Sequence, residues 1–383
     1  MGEVYLDNVA TTPLDPRVLE AMTPFLGASF GNPSSLHRKG IKPRDAVEKA
    51  RESVAAMIGA HRKEIVFTSG ASEANNLAVK GLSWASGKNA GTIVVSSIEH
   101  LSVFNAARRL QRSGFSVATI PVDGQGLVAP DEVARAIKSD TVLVSVNLAN
   151  PEVGTVEPIR EIADVAKKHG VPLHCDATAA GGWIPIDVRE IGVDLLTLSA
   201  HNFYGPKGAG ALFVRRGLRV VPLIDGGPQE GGLRAGTENV PALVGMGVAA
   251  ELAVLELPEA SRRLVRLRDM LIEGLAGSVE GVVPTGHRRN RLPGHVSFCV
   301  RGVEGEALLT DLDRRGISGA SASACASVAL KISHVLEAMG VETALARGSI
   351  VLALGRDAES QQVAEVLDVL KTSIKRLRDL SPI

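Results

Sequence analysis

Between residues 64 and 215 short apolar runs alternate with segments of helical periodicity, and this rhythm constrains the fold more than anything else in the chain. Ile65–Phe67, Thr92–Ser96, Val142–Val146, Pro172–Cys175, Leu195–Leu198 and Ala211–Val214 read as strands. Glu73–Trp84, Ser102–Gln111 and Ile159–Lys168 read as the helices between them. Parallel neighbours need a crossover of helix length, whereas antiparallel ones need only a tight turn. The pattern therefore predicts an α/β fold, a mostly parallel sheet covered by helices on both faces.

The texture changes near residue 261. Ser261–Leu275 reads as a long helix, followed by strands at His295–Val300 and Ile350–Leu354 and helices at Glu304–Arg314 and Ala358–Leu377. This mixture reads as a smaller α+β domain at the C-terminal end. A chain of 383 residues exceeds the about 250–300 at which single cores stop growing, so two domains are expected. The expected division gives residues 15–255 to the large domain. Residues 1–14 and 256–383 then form the small one, with a small-residue loop at 320–327. No internal repeat or low-complexity tract is visible.

Forty-two Lys and Arg balance 42 Asp and Glu. A neutral chain has no overall field to draw nucleic acid or an anionic membrane, so neither is an expected partner. No apolar run stands out at the roughly 18 residues that a spanning helix needs, and Met1–Asp7 lacks the features of a secretory signal. Cys175, Cys299 and Cys325 are too few and too scattered for a disulfide framework, which suggests a reducing, cytoplasmic setting.

Three segments carry candidate chemistry. Thr68-Ser69-Gly70-Ala71-Ser72-Glu73-Ala74-Asn75-Asn76 leaves a strand and opens a helix. Small residues there let backbone N–H groups converge on an anion, although the same pattern also serves plain capping. His174-Cys175-Asp176-Ala177-Thr178-Ala179 ends a strand, where open α/β sheets place their ligands. An Asp there can pair with a cationic ring nitrogen, or can simply cap a turn. The third is Ser199-Ala200-His201-Asn202-Phe203-Tyr204-Gly205-Pro206-Lys207-Gly208-Ala209-Gly210.

Together the three resemble the class V aminotransferase-fold enzymes, and closely the cysteine desulfurases. The resemblance spans nearly the whole chain. It takes in Tyr5-Leu6-Asp7-Asn8-Val9-Ala10-Thr11-Thr12-Pro13, Phe30-Gly31-Asn32-Pro33-Ser34-Ser35-Leu36-His37, Glu99-His100, Arg234-Ala235-Gly236-Thr237 and Ser323-Ala324-Cys325-Ala326-Ser327. It implies the fold type I of pyridoxal-phosphate-dependent transferases, with a large mostly parallel-sheet domain and a smaller α+β domain. It also implies that Ala71, Ser72, Ser199 and His201 cup the cofactor phosphate, with Thr237 reaching it from the neighbouring subunit of a homodimer. His100 would stack on the cofactor ring and Asp176 would pair with its nitrogen. Cys325 would be the nucleophile that takes sulfur as a persulfide, although a cysteine can also be no more than a small buried hydrophobe.

The chain departs from the family at four positions. The family has a lysine after Ser-x-His that holds the cofactor as a Schiff base and shuttles the proton. Asn202 stands there, and an amide does neither. Pro151 replaces an asparagine and Ala179 a glutamine, both of which contact the ring hydroxyl in the family. Val351 replaces the arginine that clamps the substrate carboxylate. Lys207 is nearby, but the family has a lysine there as well and does not use it as the anchor.

The expected function is that of a cysteine desulfurase homologue in iron–sulfur cluster assembly. Its pyridoxal phosphate would be weakly held, non-covalent or absent. Cys325 would supply sulfur, or a thiolate ligand to a cluster shared with a scaffold protein. The rival expectations are an active desulfurase or lyase using non-covalent cofactor, and a binding protein that does no chemistry.

Overall fold

The computed structural model describes residues 3–87, 90–321 and 332–380. The chain opens with strand β1 (Val4–Tyr5) and helices α1 (Pro16–Leu26) and α2 (Arg38–Met57). Strand β2 (Ile65–Thr68) leads into α3 (Ala71–Asn76), which continues through a π-helical turn at Leu77–Gly81 into α4 (Leu82–Ala85). Then follow β3 (Gly91–Ser96), α5 (Leu101–Gln111), β4 (Phe115–Ile120), α6 (Pro130–Ala136), β5 (Thr141–Ser145) and α7 (Ile159–Lys168). Next come β6 (Leu173–Asp176), α8 (Val188–Ile191), β7 (Leu195–Ser199), β8 (Gly210–Val214) and the long α9 (Val240–Ala276). The C-terminal part holds β9 (Val282–Pro284), β10 (His295–Val300), α10 (Gly305–Asp313), β11 (Ile317–Ser318), α11 (His334–Ala338), α12 (Thr343–Ala346), β12 (Ser349–Ala353) and α13 (Ser360–Leu380).

Among the described residues a seven-stranded sheet runs in the order β2-β8-β7-β6-β5-β3-β4. Every pairing from β7 to β4 is parallel. Strand β8 is antiparallel to both of its neighbours, so β2 and β7 point the same way. Side chains alternate across a strand, and here both faces are covered. Val94, Val144 and Leu196 enter one core with α2, α7 and the start of α9. Ile93, Val95, Leu143 and Leu195 enter the other, with α3 and α5. This double burial explains the unbroken apolar runs that mark these strands in the sequence.

A second, antiparallel sheet, β12-β10-β9, packs with α10, α13 and the far half of α9. Val4 and Leu6 join this core, because β1 pairs in parallel with β11 across the length of the chain. Helix α9 corrects one expectation. It spans 37 residues and contains a stretch that is long and apolar enough to cross a membrane. Its apolar residues have another use: Val240–Ala250 line the first core against α1 and α2, and Leu264–Leu275 line the second.

Candidate active site

Because β2, β3, β5, β6 and β7 share one direction, their carboxyl ends open along one edge of the sheet. Ligands bind at that edge in open α/β sheets. It carries Gly70 and Ala71 after β2, Glu99 and His100 after β3, Asp176 at the end of β6 and Ser199 at the end of β7. Gly210 sets how closely two of these segments approach. It pairs with both Thr68 and Ser199, and a Cβ on it would lie 2.6 Å from the Gly70 backbone. Only glycine lets the loop that opens α3 rest against the start of β8, next to Ser199.

The polar atoms left over at this edge match a phosphorylated ring. Ser199 Oγ and Thr178 Oγ1 are buried and have no partner. A buried hydroxyl without a partner is costly, about 1–3 kcal/mol, and a bound acceptor would relieve it. Ala71 and Ser72 sit half-buried and exposed on the first turn of α3. Asp176 is buried, with Oδ2 accepting from Asn75 Nδ2 at 2.7 Å and Oδ1 accepting from the Thr178 N–H at 2.9 Å. His100 is exposed and caps α5, its Nδ1 accepting from the Ser102 N–H at 3.1 Å. These residues fit pyridoxal phosphate at its phosphate, its ring nitrogen and its ring face.

At the position that the resemblance gives to the covalent anchor, the side chain is an amide with no amine to offer. Asn202 is 4% exposed, and its Nδ2 donates to the Val9 carbonyl at 2.9 Å. Its own carbonyl accepts from Trp183 Nε1 at 2.8 Å, while Oδ1 is buried without a partner. Asn202, Ala179, Trp183, Val9, His295 and Leu354 line a cavity of about 20 Å³, room for about one water molecule. The Pro151 carbonyl accepts from His295 Nε2 at 2.8 Å on the same wall. Val351 is buried in β12, opposite Ser297 of β10. Two of the four departures, Asn202 and Ala179, thus line one small cavity, and Pro151, through its carbonyl, bonds His295 of its lining. Lys207 is exposed.

His201 turns toward the N-terminal segment, Nδ1 lying 3.2 Å from Thr11 Oγ1, and its carbonyl accepts from Thr12. Burial first, and the Lys207 charge second, lower its pKa from the usual imidazole value. Thr237 is exposed on a pocket of about 150 Å³ shared with Thr68, Ser69 and Arg234. Arg234 is tied to α3 through Glu73 at 3.0 Å. Cys325 lies outside the described residues. Of the other thiols, burial pushes Cys299 up to about 12 and Cys175 well above its usual value, so neither is a ready nucleophile. Among the described residues no three side chains of metal-binding type converge.

Beneath the edge lies a buried polar string that sequence reading does not announce. Ser145 Oγ is 2.9 Å from both Glu99 Oε1 and His174 Nδ1, and His174 Nε2 is 3.1 Å from Thr197 Oγ1. Burial, and then the Asp176 charge, push the Glu99 carboxyl up to about 8, while burial pulls His174 down to about 4. Both shifts favour the uncharged form.

Residues 4–363 match the aminotransferase class-V family. The cysteine desulfurase IscS of Dictyoglomus turgidum is 47% identical over 380 residues, covering 99% of this chain and 96% of that protein. The cysteine desulfurase IscS of Methanosarcina thermophila is 45% identical, covering 99% of this chain and 94% of that protein. A solved NifS-like protein superposes with a TM-score of 0.90 at 37% identity, covering 98% of this chain and 99% of that one. The apo cysteine desulfurase of Thermococcus onnurineus NA1 superposes with a TM-score of 0.87 at 26% identity, covering 97% and 95%. With sequence, fold and site edge in agreement, the chain belongs to the aminotransferase class-V family and, within it, to the cysteine desulfurases.

Proposed function

We propose that this chain serves iron–sulfur cluster assembly as a cysteine desulfurase homologue that binds pyridoxal phosphate without a covalent anchor. Cys325 carries sulfur, or lends its thiolate to a cluster forming on a scaffold protein. One observation carries the reading. Asn202, at the position that the resemblance gives to the anchoring lysine, is buried and hydrogen-bonded to Val9, while Asp176, Ser199 and the glycine cradle at Gly210 are kept. Ser199, His201, Ala71 and Ser72 would hold the phosphate, and Thr237 would reach the phosphate of a homodimer partner. Asp176 would hold the ring nitrogen and His100 the ring face. When bound, the cofactor supplies an electron sink for the amino-acid substrate. Asn202 cannot act as the base near neutral pH, and loss of a positioned acid/base group typically costs about 10²–10⁴ in rate.

The test is sulfide release from L-cysteine with added pyridoxal phosphate, run beside the Dictyoglomus turgidum relative. This chain is expected to be slower by about that factor. A Cys325→Ser variant mixed with cysteine and a scaffold protein should carry no persulfide or cluster, whereas the native chain should. Release at the relative's rate, or no sulfur on Cys325 in the native complex, would overturn the proposal.

A further inference from the structure

Two ring-side groups, His100 and Asp176, sit on different strand ends, yet one hydrogen-bond chain connects them. Asn75 Nδ2 donates to Asp176 Oδ2 at 2.7 Å and to Ser102 Oγ at 2.8 Å. Ser102 Oγ lies 2.7 Å from His100 Nδ1. The hydrogen-bond partners favour one placement of the protons along this chain. The Ser102 backbone N–H can only donate, and at 3.1 Å from His100 Nδ1 it favours an acceptor there without by itself fixing one. The Ser102 hydroxyl has a single hydrogen. It accepts from Asn75, and with the backbone N–H favouring an acceptor at Nδ1 it gives that hydrogen to this nitrogen across the shorter 2.7 Å contact. The neutral His100 ring then carries its proton on Nε2.

The amide is held in this orientation against a penalty. Asn75 is fully buried, and its Oδ1 has no partner. Flipping the amide would set oxygen against a carboxylate oxygen, so the demands on Nδ2 decide the orientation. A buried acceptor left unpaired does nothing for stability, which points to a role in the site.

We propose that Asn75, acting with Ser102, is a positioning residue. It orients the Asp176 carboxylate and selects the Nε2–H tautomer of His100, so one amide sets the groups facing both the edge and the face of the cofactor ring. The proposal rests on the reading that this edge binds pyridoxal phosphate, but its first test does not need the cofactor. In cofactor-free protein labelled with nitrogen-15 histidine, in mildly alkaline buffer, His100 should show a protonated Nε2 and a bare Nδ1. Ser102→Ala leaves only the backbone donor, and a measurable share of the Nδ1–H form should appear. Ser102→Thr should restore the native spectrum. A native His100 protonated on Nδ1, or a tautomer unmoved by Ser102→Ala, would overturn the proposal.

The second test uses the cofactor and an analogue whose ring nitrogen is replaced by carbon. Asn75→Ala should weaken pyridoxal phosphate binding about 10- to 100-fold, as expected for a lost charge-assisted hydrogen bond. The same variant should bind the analogue about as well as the native chain does. An equal loss for both ligands would mean a general loss of structure and would overturn the positioning role. Failure of the native chain to bind pyridoxal phosphate would instead sink the cofactor reading, leaving the histidine spectra to judge the tautomer.

Discussion

Asn202 stands where the resemblance puts the anchoring lysine. Its amide nitrogen braces the N-terminal segment through Val9, and Thr11 and Thr12 strap the same turn from either side of His201. Tyr204, two residues on, is held at φ 64, a left-handed conformation rare outside glycine. Three contacts keep it there. Its N–H donates to Thr12 Oγ1 at 2.6 Å, its hydroxyl accepts from the Arg356 N–H at 2.7 Å, and the Arg356 guanidinium stacks over its ring at 4.0 Å. Asn202→Lys should break the Val9 bond and crowd a cavity of about 20 Å³. Its expected cost is about 1–3 kcal/mol in urea denaturation. The variant should also gain a cofactor adduct that borohydride makes permanent. Sulfide release should stay low, because Val351 still offers no carboxylate clamp. A variant that forms no adduct would show that position 202 does not face the cofactor aldehyde.

At the scale of elements, the site depends on how closely strands and loops approach. Gly210→Ala should cost about 1–3 kcal/mol and weaken cofactor binding, since the new methyl group would meet the Gly70 backbone rather than a movable side chain. Gly27→Ala, with nothing within 4 Å of the added carbon, should stay within about 0.5 kcal/mol of the native chain. Urea denaturation and cofactor titration check both.

The elements also show what the sequence can and cannot announce. Strands β7 and β10 are buried at every residue and read directly as apolar runs. Strand β4 lies at the sheet edge with a broken burial pattern, and its Ser, Ala and Thr residues do not stand out. Helix α2 is polar over most of its length and contains Pro43, so its narrow buried stripe of Val47, Ala50 and Val54 goes unread. The long α9 reads only in its C-terminal half, because Val240–Ala250 is apolar all round and lacks helical periodicity. Asp176, Ser199, His201 and His100 are legible as motif positions. The Asn75 bridge is not, since its partners lie 27 and 101 residues away and meet only through the order of the strands.

At the scale of the whole molecule, buried titratable groups set a pH dependence. Burial pushes Glu99 and Glu157 up to about 8, above the ordinary carboxylate value of 4.5. Between those values the folded chain holds protons that the unfolded chain has released, so stability falls as pH rises. His174 and His295, pulled down by burial to about 4 and about 3, act in the opposite direction, but only up to the ordinary value of 6.5. Between about pH 6.5 and about 8 these carboxyls set the slope, joined up to about 7 by Glu152, which burial also raises, each removing about 1.4 kcal/mol per pH unit while it stays protonated. Thermal denaturation should therefore show a lower Tm at the upper end of that window, and Glu99→Gln should flatten the slope. A Tm that rises across the window would contradict this assignment.

The most direct test of a cysteine desulfurase site without its covalent anchor is borohydride reduction of the native chain in the presence of pyridoxal phosphate, followed by intact mass and peptide mapping. The expected result is cofactor binding seen by absorbance, removable by dialysis, with no cofactor mass retained on any lysine after reduction. A stoichiometric adduct on a single lysine, Lys207 included, would show that the chain has found another anchor and would contradict the central claim.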